Sequence, residues 1–132
     1  MSIAYQIEES ISPKELAEVF VNSTIRRPVD DLSRLQQMID KADLLITARD
    51  GTQLIGVARS LTDFCFACYL SDLAVDKAYQ HHGIGKELVR LTREAIGPGT
   101  MLLLVSAPEA MSYYSKLGFE KMDRAWWINR TR

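Results

Sequence analysis

Seven consecutive residues, Gln80-His81-His82-Gly83-Ile84-Gly85-Lys86, concentrate the chemistry-bearing residue types of this chain. They stand between a long β-type run and an amphipathic helical stretch. Free backbone N–H groups and the positive end of a helix dipole meet at such a junction and bind anions. Gly83 and Gly85 lack side chains, so a phosphate can approach the main chain closely. Three phosphate-loop patterns compete. A Walker-type loop requires GxxxxGK and then Ser or Thr, but Glu87 follows Lys86 and the first glycine is absent. A dinucleotide fingerprint requires glycine where Leu88 stands, together with repeated βαβ units that the chain lacks. The pattern Gln/Arg-x-x-Gly-x-Gly/Ala is met by Gln80, Gly83 and Gly85. Standing alone, such a motif also marks a plain helix entry with no ligand. His81 and His82 are the residue type that most often serves as a base, but inside this loop they are better suited to covering a phosphate. Cys65 and Cys68 form a CxxC spacing that suits redox or metal chemistry only if both thiols share a face. They fall in Phe64–Tyr69, which reads as strand, where residues three apart point to opposite faces, so no metal site is expected.

The elements that must hold this loop are legible from periodicity. Ile3 to Ile7 alternates as a strand. Ser12-Pro13-Lys14-Glu15 is a capping box with proline at the first helical position, followed by Leu16, Val19 and Phe20 as an apolar stripe. Asp30 or Asp31 can cap a second helix carrying Leu32, Leu35, Ile39 and Ala42. Two β-type runs, Leu44 to Arg49 and Gln53 to Ser60, flank Asp50-Gly51 as a hairpin. The run Phe64 to Val75 is long for one strand and invites a bulge. From Gly83, Ile84, Leu88, Leu91 and Ala95 fall at helical spacing until Gly97-Pro98-Gly99 stops the helix. Met101 to Val105 reads as a buried strand. Pro108 opens a last helix through Leu117, and Phe119–Met122 with Ala125–Asn129 forms a final β pair. The order β-α-α-β-β-β-α-β-α-β-β describes an α+β sheet with helices on its faces, one domain over residues 1–132.

Composition narrows the function classes. With 132 residues, 47% hydrophobic and 25% charged, the chain is an ordinary globular domain without room for separate cofactor and substrate domains. Its formal charge of -1 gives no global field for nucleic acid or a membrane surface. The longest apolar run, Phe64 to Leu70, falls far short of a membrane span, and Glu8 and Glu9 stand where a secretory signal would be basic and then apolar. Together with two buried-type thiols, these features predict a cytoplasmic location.

Three ordered blocks raise the phosphate-loop reading above an isolated motif. They are Leu70-Ser71-Asp72-Leu73-Ala74-Val75-Asp76, the stretch Gln80 to Leu88, and Ala110 to Phe119 ending in Tyr114-Ser115-Lys116-Leu117-Gly118-Phe119. Through them the chain resembles the GNAT superfamily of acyl-CoA-dependent N-acyltransferases, over essentially its whole length. The stretches Arg26-Arg27-Pro28, Leu54 to Ser60 and Tyr69 to Val75 are similar to a branch with chloroplast and cyanobacterial enzymes acting on arylalkylamines and protein lysines.

The resemblance implies a mixed, mostly antiparallel sheet splayed at a bulged strand, with helices on both faces. It implies acetyl-CoA as co-substrate, no metal, and direct attack by a primary amine, on a small molecule or a protein, in a ternary complex. A non-catalytic acyl-CoA-binding module of the same fold is the alternative. Leu73, Ala74 and Val75 would pair with the pantetheine arm through their main chain, and Gln80 through Lys86, with His81, His82, Gly83, Ile84 and Gly85 between, would hold the pyrophosphate. Tyr114 would protonate the departing thiolate, with Tyr113 as fallback, and Asp72 would act as the base, through water. Ala107 stands where many relatives have an asparagine that helps hold the cofactor arm. Acceptor choice would rest on Thr24 to Leu32 and the last hairpin near Trp126, and Trp126-Trp127 would serve a homodimer contact.

Overall fold

Apolar alternation and helical stripes assemble into one sheet between two helical layers. The computed structural model describes residues 2–132. In chain order the elements are β1 (Ile3–Ile7), α1 (Pro13–Ser23), α2 (Leu32–Asp40), β2 (Leu44–Asp50), β3 (Gln53–Thr62), β4 (Ala67–Val75), α3 (Ile84–Ile96), β5 (Met101–Leu103) and α4 (Met111–Lys116). The sheet order is β1-β2-β3-β4-β5; the first four strands are antiparallel and β5 runs parallel to β4. Among the described residues no helix is long and apolar enough to cross a membrane.

Local chemistry sets the element ends. Ser12 Oγ accepts from the N–H groups of Lys14 and Glu15, and Glu15 accepts in return from the Ser12 N–H, so α1 starts where the capping box requires. Asp31, rather than Asp30, caps α2 by accepting from the Arg34 N–H. Leu16, Val19 and Phe20 of α1 meet Leu35 and Ile39 of α2 and Leu45, Leu54, Val57 and Ala74 of the sheet. Phe20 is fully enclosed there, and truncating such a ring to alanine costs about 3–5 kcal/mol. On the opposite face, Ile84, Leu88, Val89 and Ile96 of α3 pack on Ile46, Ala48, Ile55 and Leu70. Leu91 and Ala95, expected on that stripe, lie at its half-buried margin, and Thr92 takes the central place by donating its hydroxyl to the Leu88 carbonyl.

The expected bulge lies at Ser71. Arg59 pairs with Asp72 while its neighbour Ser60 pairs with Leu70, so Ser71 is the extra residue on β4. One extra residue reverses the face of everything beyond it, because side chains alternate with period two. Cys68 and Leu70 face α3, whereas Ala74 faces α1 and α2, and Leu73 and Val75 join the α3 side. β5 is bonded to β4 only through Ala67–Tyr69, so from Leu70 onward the edge of β4 facing β5 carries no strand. The sheet is therefore splayed beside the bulge, as expected.

Three sequence expectations differ from the structure. Phe64–Phe66 is a turn, not strand, and β4 starts at Ala67. Asp63 causes this by accepting from the N–H groups of Cys65, Phe66 and Ala67, which also holds its carboxyl well below the usual range. Cys65 is exposed in that turn while Cys68 is buried in β4, and among the described residues no group of three His, Cys, Asp or Glu side chains forms a metal site. Met101–Val105 is strand only to Leu103 and is half-exposed, because nothing covers its outer side. The final β pair is not formed: residues 119–132 carry no strand, and Trp126, Trp127 and Ile128 are largely in solvent. The outer edge of β5 therefore ends the sheet unpaired.

Candidate active site

The splay opens a cleft of about 1000 Å³ between the free edge of β4 and the chain that continues from β5 into α4. One wall is Leu70, Ser71 and Leu73–Val75 of β4; the other is Leu104–Ala110 with Tyr113 and Tyr114. The roof is the α1–α2 connection from Ser23 to Arg27, and the far end is the loop entering α3.

That far end gathers unclaimed backbone N–H groups. Asp76 caps a 3₁₀ turn at Lys77–Tyr79 by accepting from the Ala78 N–H, and the Tyr79 hydroxyl donates to Asp50 on β2. Gln80 Nε2 donates to the Val75 carbonyl, fastening the loop to the end of β4. Gly83 then turns at φ +77, a left-handed conformation open to glycine, and α3 begins without a side-chain cap. Unlike α1 and α2, this helix thus keeps the first-turn N–H groups of Ile84, Gly85 and Lys86 unclaimed by any capping side chain. Gly85 has a packing reason as well: a Cβ there would lie 2.0 Å from Tyr113 Oη.

The bulged end is different. Asp72 is completely buried, and its two carboxylate oxygens accept separately from Arg27 Nε and Arg59 Nε. Arg59 also donates to Ser71 Oγ at 3.0 Å, and Arg27 Nη2 donates to the Ser71 carbonyl at 2.8 Å. Two arginines, one from β3 and one from the α1–α2 connection, thus clamp the bulge residue around one carboxylate. Tyr114 stands across the cleft, its ring edge-on to Tyr113 at 5.3 Å and to Phe119 at 5.9 Å. Burial pushes the Tyr114 hydroxyl pKa up, as does neighbouring Tyr113, while the Arg27 charge partly opposes them. Burial alone raises that of Tyr113.

Most of the residues expected at the site come together. Leu73–Val75, Gln80, His81, Gly83–Lys86 and Tyr114 all line the cleft. The side chains of Ile84 and Ala74 are in the core, so these two present main chain only. His82 does not line the cleft, although its neighbour His81 does, at φ +69. Asp72 is a correction: its side chain lies on the α1–α2 face, away from the cleft, with both oxygens engaged by arginine, so it is not placed to take a proton from an acceptor. The bulge is the physical reason, because it turns residue 72 to the face opposite Leu70. Arg27 and Arg59 as partners of Asp72 were not foreseen. The signal was an arginine and an aspartate inside two strands whose other buried positions are apolar apart from Ser60.

Residues 7–126 match the family described as "Acetyltransferase (GNAT) domain". The histone acetyltransferase TAP1 of Glycine max is 36% identical over 73 residues, 52% of this chain and 30% of the relative, so the match spans under a third of that protein. Among solved structures, the GNAT family acetyltransferase SP0256 of Streptococcus pneumoniae superposes with a TM-score of 0.79 at 20% identity, covering 98% of this chain and 99% of that one. The PaiA N-acetyltransferase of Thermoplasma acidophilum, solved in complex with coenzyme A, superposes with a TM-score of 0.73 at 21% identity over 95% and 94% of the two chains.

Proposed function

Since the chain belongs to the GNAT acetyltransferase family, we propose that it transfers an acetyl group from acetyl-CoA to a primary amine, as one transferase domain. The observation that carries this reading is continuity: the unpaired edge of β4 leads straight into the glycine-started, uncapped N-terminus of α3. A free strand edge suits the amides of a pantetheine arm, which would lie against Leu73–Val75 as an added strand. The amides at Gly83–Lys86 suit the pyrophosphate, with His81 covering it.

The acyl carbon then lies beside the bulge, where the main chain of β4 is displaced and Tyr114 faces the cleft. A neutral amine nitrogen attacks the thioester carbonyl; the C–N bond forms, the C–S bond breaks, and the amine proton leaves to solvent. Tyr114 donates its hydroxyl proton to the departing thiolate and is reprotonated from water. Burial supports this role, because it keeps the phenol protonated throughout the neutral range. Asp72 and Arg59 act through position: they hold Ser71, and with it the displaced strand.

Acceptors of two kinds fit the branch resemblance, arylalkylamines and lysine side chains. The Glycine max relative is named a histone acetyltransferase. Thr24–Arg27 stands over the bulged end of the cleft and supports a role in acceptor choice. The exposed Trp126-Trp127-Ile128 segment supports a contact between two copies of the chain. The test is a thiol-release assay across a panel of amines, run beside equilibrium CoA binding. Release with at least one amine is expected. CoA binding with no release on any amine would instead favour a non-catalytic module of the same fold.

A further inference from the structure

The clamp at the bulge holds two guanidinium groups and one carboxylate, so it carries one positive charge in excess. The two arginines share that excess unequally. Arg59 has its side chain 8% exposed and lies in the core side of the clamp, whereas Arg27 is 26% exposed and lines the cleft. Arg27 is also rigid. Its Nε donates to Asp72, its Nη1 to the Arg26 carbonyl at 2.6 Å and its Nη2 to the Ser71 carbonyl at 2.8 Å. Three of five N–H groups are spent, and one remains on each terminal nitrogen.

The position separates this charge from the phosphate end. From Ser71 to Val75 the strand advances about 13 Å, and the anion-binding amides lie beyond that. Arg26, beside Arg27 at the same end, adds a second cation, and Glu109 is the only acidic residue that lines the cleft among the described residues. A strongly cationic acceptor approaching this end would meet like charge. A carboxylate would meet a fixed, partly desolvated guanidinium with two N–H groups to give.

We infer that Arg27, held in place by Asp72, forms an anion-recognising subsite at the acceptor end, and that the preferred acceptor is a small primary amine that also carries a carboxylate. The inference rests on the transferase reading above and narrows its substrate class. Asp72 is thereby a positioning residue for Arg27.

The experiment compares kcat/KM, expressed for the neutral amine, on matched pairs that differ only at the carboxyl: lysine with lysinamide, and tryptophan with tryptophanamide. Peptides beginning with Asp or Glu distinguish a side-chain carboxylate from an α-carboxylate as the group bound. In the wild-type protein the acid is expected to exceed the amide by about tenfold or more, the scale of a charge-assisted hydrogen bond. In Arg27→Gln that ratio falls toward one while CoA binding persists. Arg27→Gln leaves Asp72 with one partner and lowers stability, so Arg27→Lys is read beside it; lysine keeps the charge but loses the fork and reduces the ratio. Neither variant is needed for a wild-type readout: 3-(indol-3-yl)propionate, a carboxylate with no amine, should compete with the amine acceptor and not with acetyl-CoA. Turnover with equal use of acid and amide, or preference for the amide, overturns the subsite and leaves the transferase standing. CoA binding with no turnover of any amine overturns the transferase reading and the subsite with it.

Discussion

Replacing Asp72 by asparagine separates a structural clamp from a catalytic base. The exchange is nearly isosteric, so no cavity forms, and the loss is electrostatic. In the native protein Asp72 is fully buried and bridges Arg59, 8% exposed, and Arg27, 26% exposed. The Arg59 pair belongs to the buried regime, in which removing one partner costs about 3–5 kcal/mol because a charge is left uncompensated. The Arg27 pair is closer to the exposed regime and adds about 0.2–1 kcal/mol. For a domain of this size each kcal/mol lowers Tm by about 3–4 °C, so Asp72→Asn should melt roughly 10–25 °C below the wild type. Adding Arg59→Met removes the more buried orphaned cation, and the double variant should regain part of that loss. Thermal unfolding followed by circular dichroism reads both. A base would behave in the opposite way, with turnover lost about 10²-fold or more at unchanged Tm. That pattern, a Tm within about 3 °C of wild type together with a dead enzyme, would refute the clamp.

Other outcomes follow from the cleft. Tyr114→Phe should lower kcat by about 10²–10⁴, the range of a lost general acid, with CoA affinity nearly unchanged by calorimetry. Gly85→Ala should weaken CoA binding because its Cβ would lie 2.0 Å from Tyr113 Oη; pairing it with Tyr113→Phe should restore affinity, since the next ring atom is at 3.3 Å. Strict additivity of the two changes would disprove that contact. The pH profile has a defined sign: Tyr114 must be protonated to act and its pKa is raised by burial, so kcat/KM should rise as the acceptor amine loses its proton and not descend below about pH 10. A descending limb near neutrality would remove Tyr114 from the acid role. Sedimentation should report a dimer that weakens in Trp126→Ser; a wild-type monomer at all concentrations would dispose of that contact.

Local signals carried most of the fold. The capping box at Ser12–Glu15 and the Asp50-Gly51 hairpin are decided within a few residues by hydrogen-bonding groups and lie where the sequence places them, while α3 forms where expected with its buried stripe shifted to include Val89, Thr92 and Ile96. Expectations went astray where a partner across space decides. Phe64–Phe66 has strand-type composition, yet one carboxylate, Asp63, collects three N–H groups and folds it into a turn. Ala125–Asn129 is rich in strand-forming residues, yet it pairs with no strand and leaves the outer edge of β5 free.

The proposed cofactor end of the site is likewise legible in the sequence, because backbone builds it: Gly83 supplies the left-handed turn locally, while Gly85 is also required by Tyr113 packed against it. The acceptor end is not. Asp72 reads as a free acid until the bulge at Ser71 turns it to the other face and delivers it to Arg27 and Arg59, 45 and 13 residues away in the chain. Side-chain alternation is a local rule, but the face it assigns depends on the register against β3, and register is settled only when strands pair. The sequence by itself therefore determined the glycine-started loop that follows β4, and the tertiary structure alone decided which charge faces the cleft.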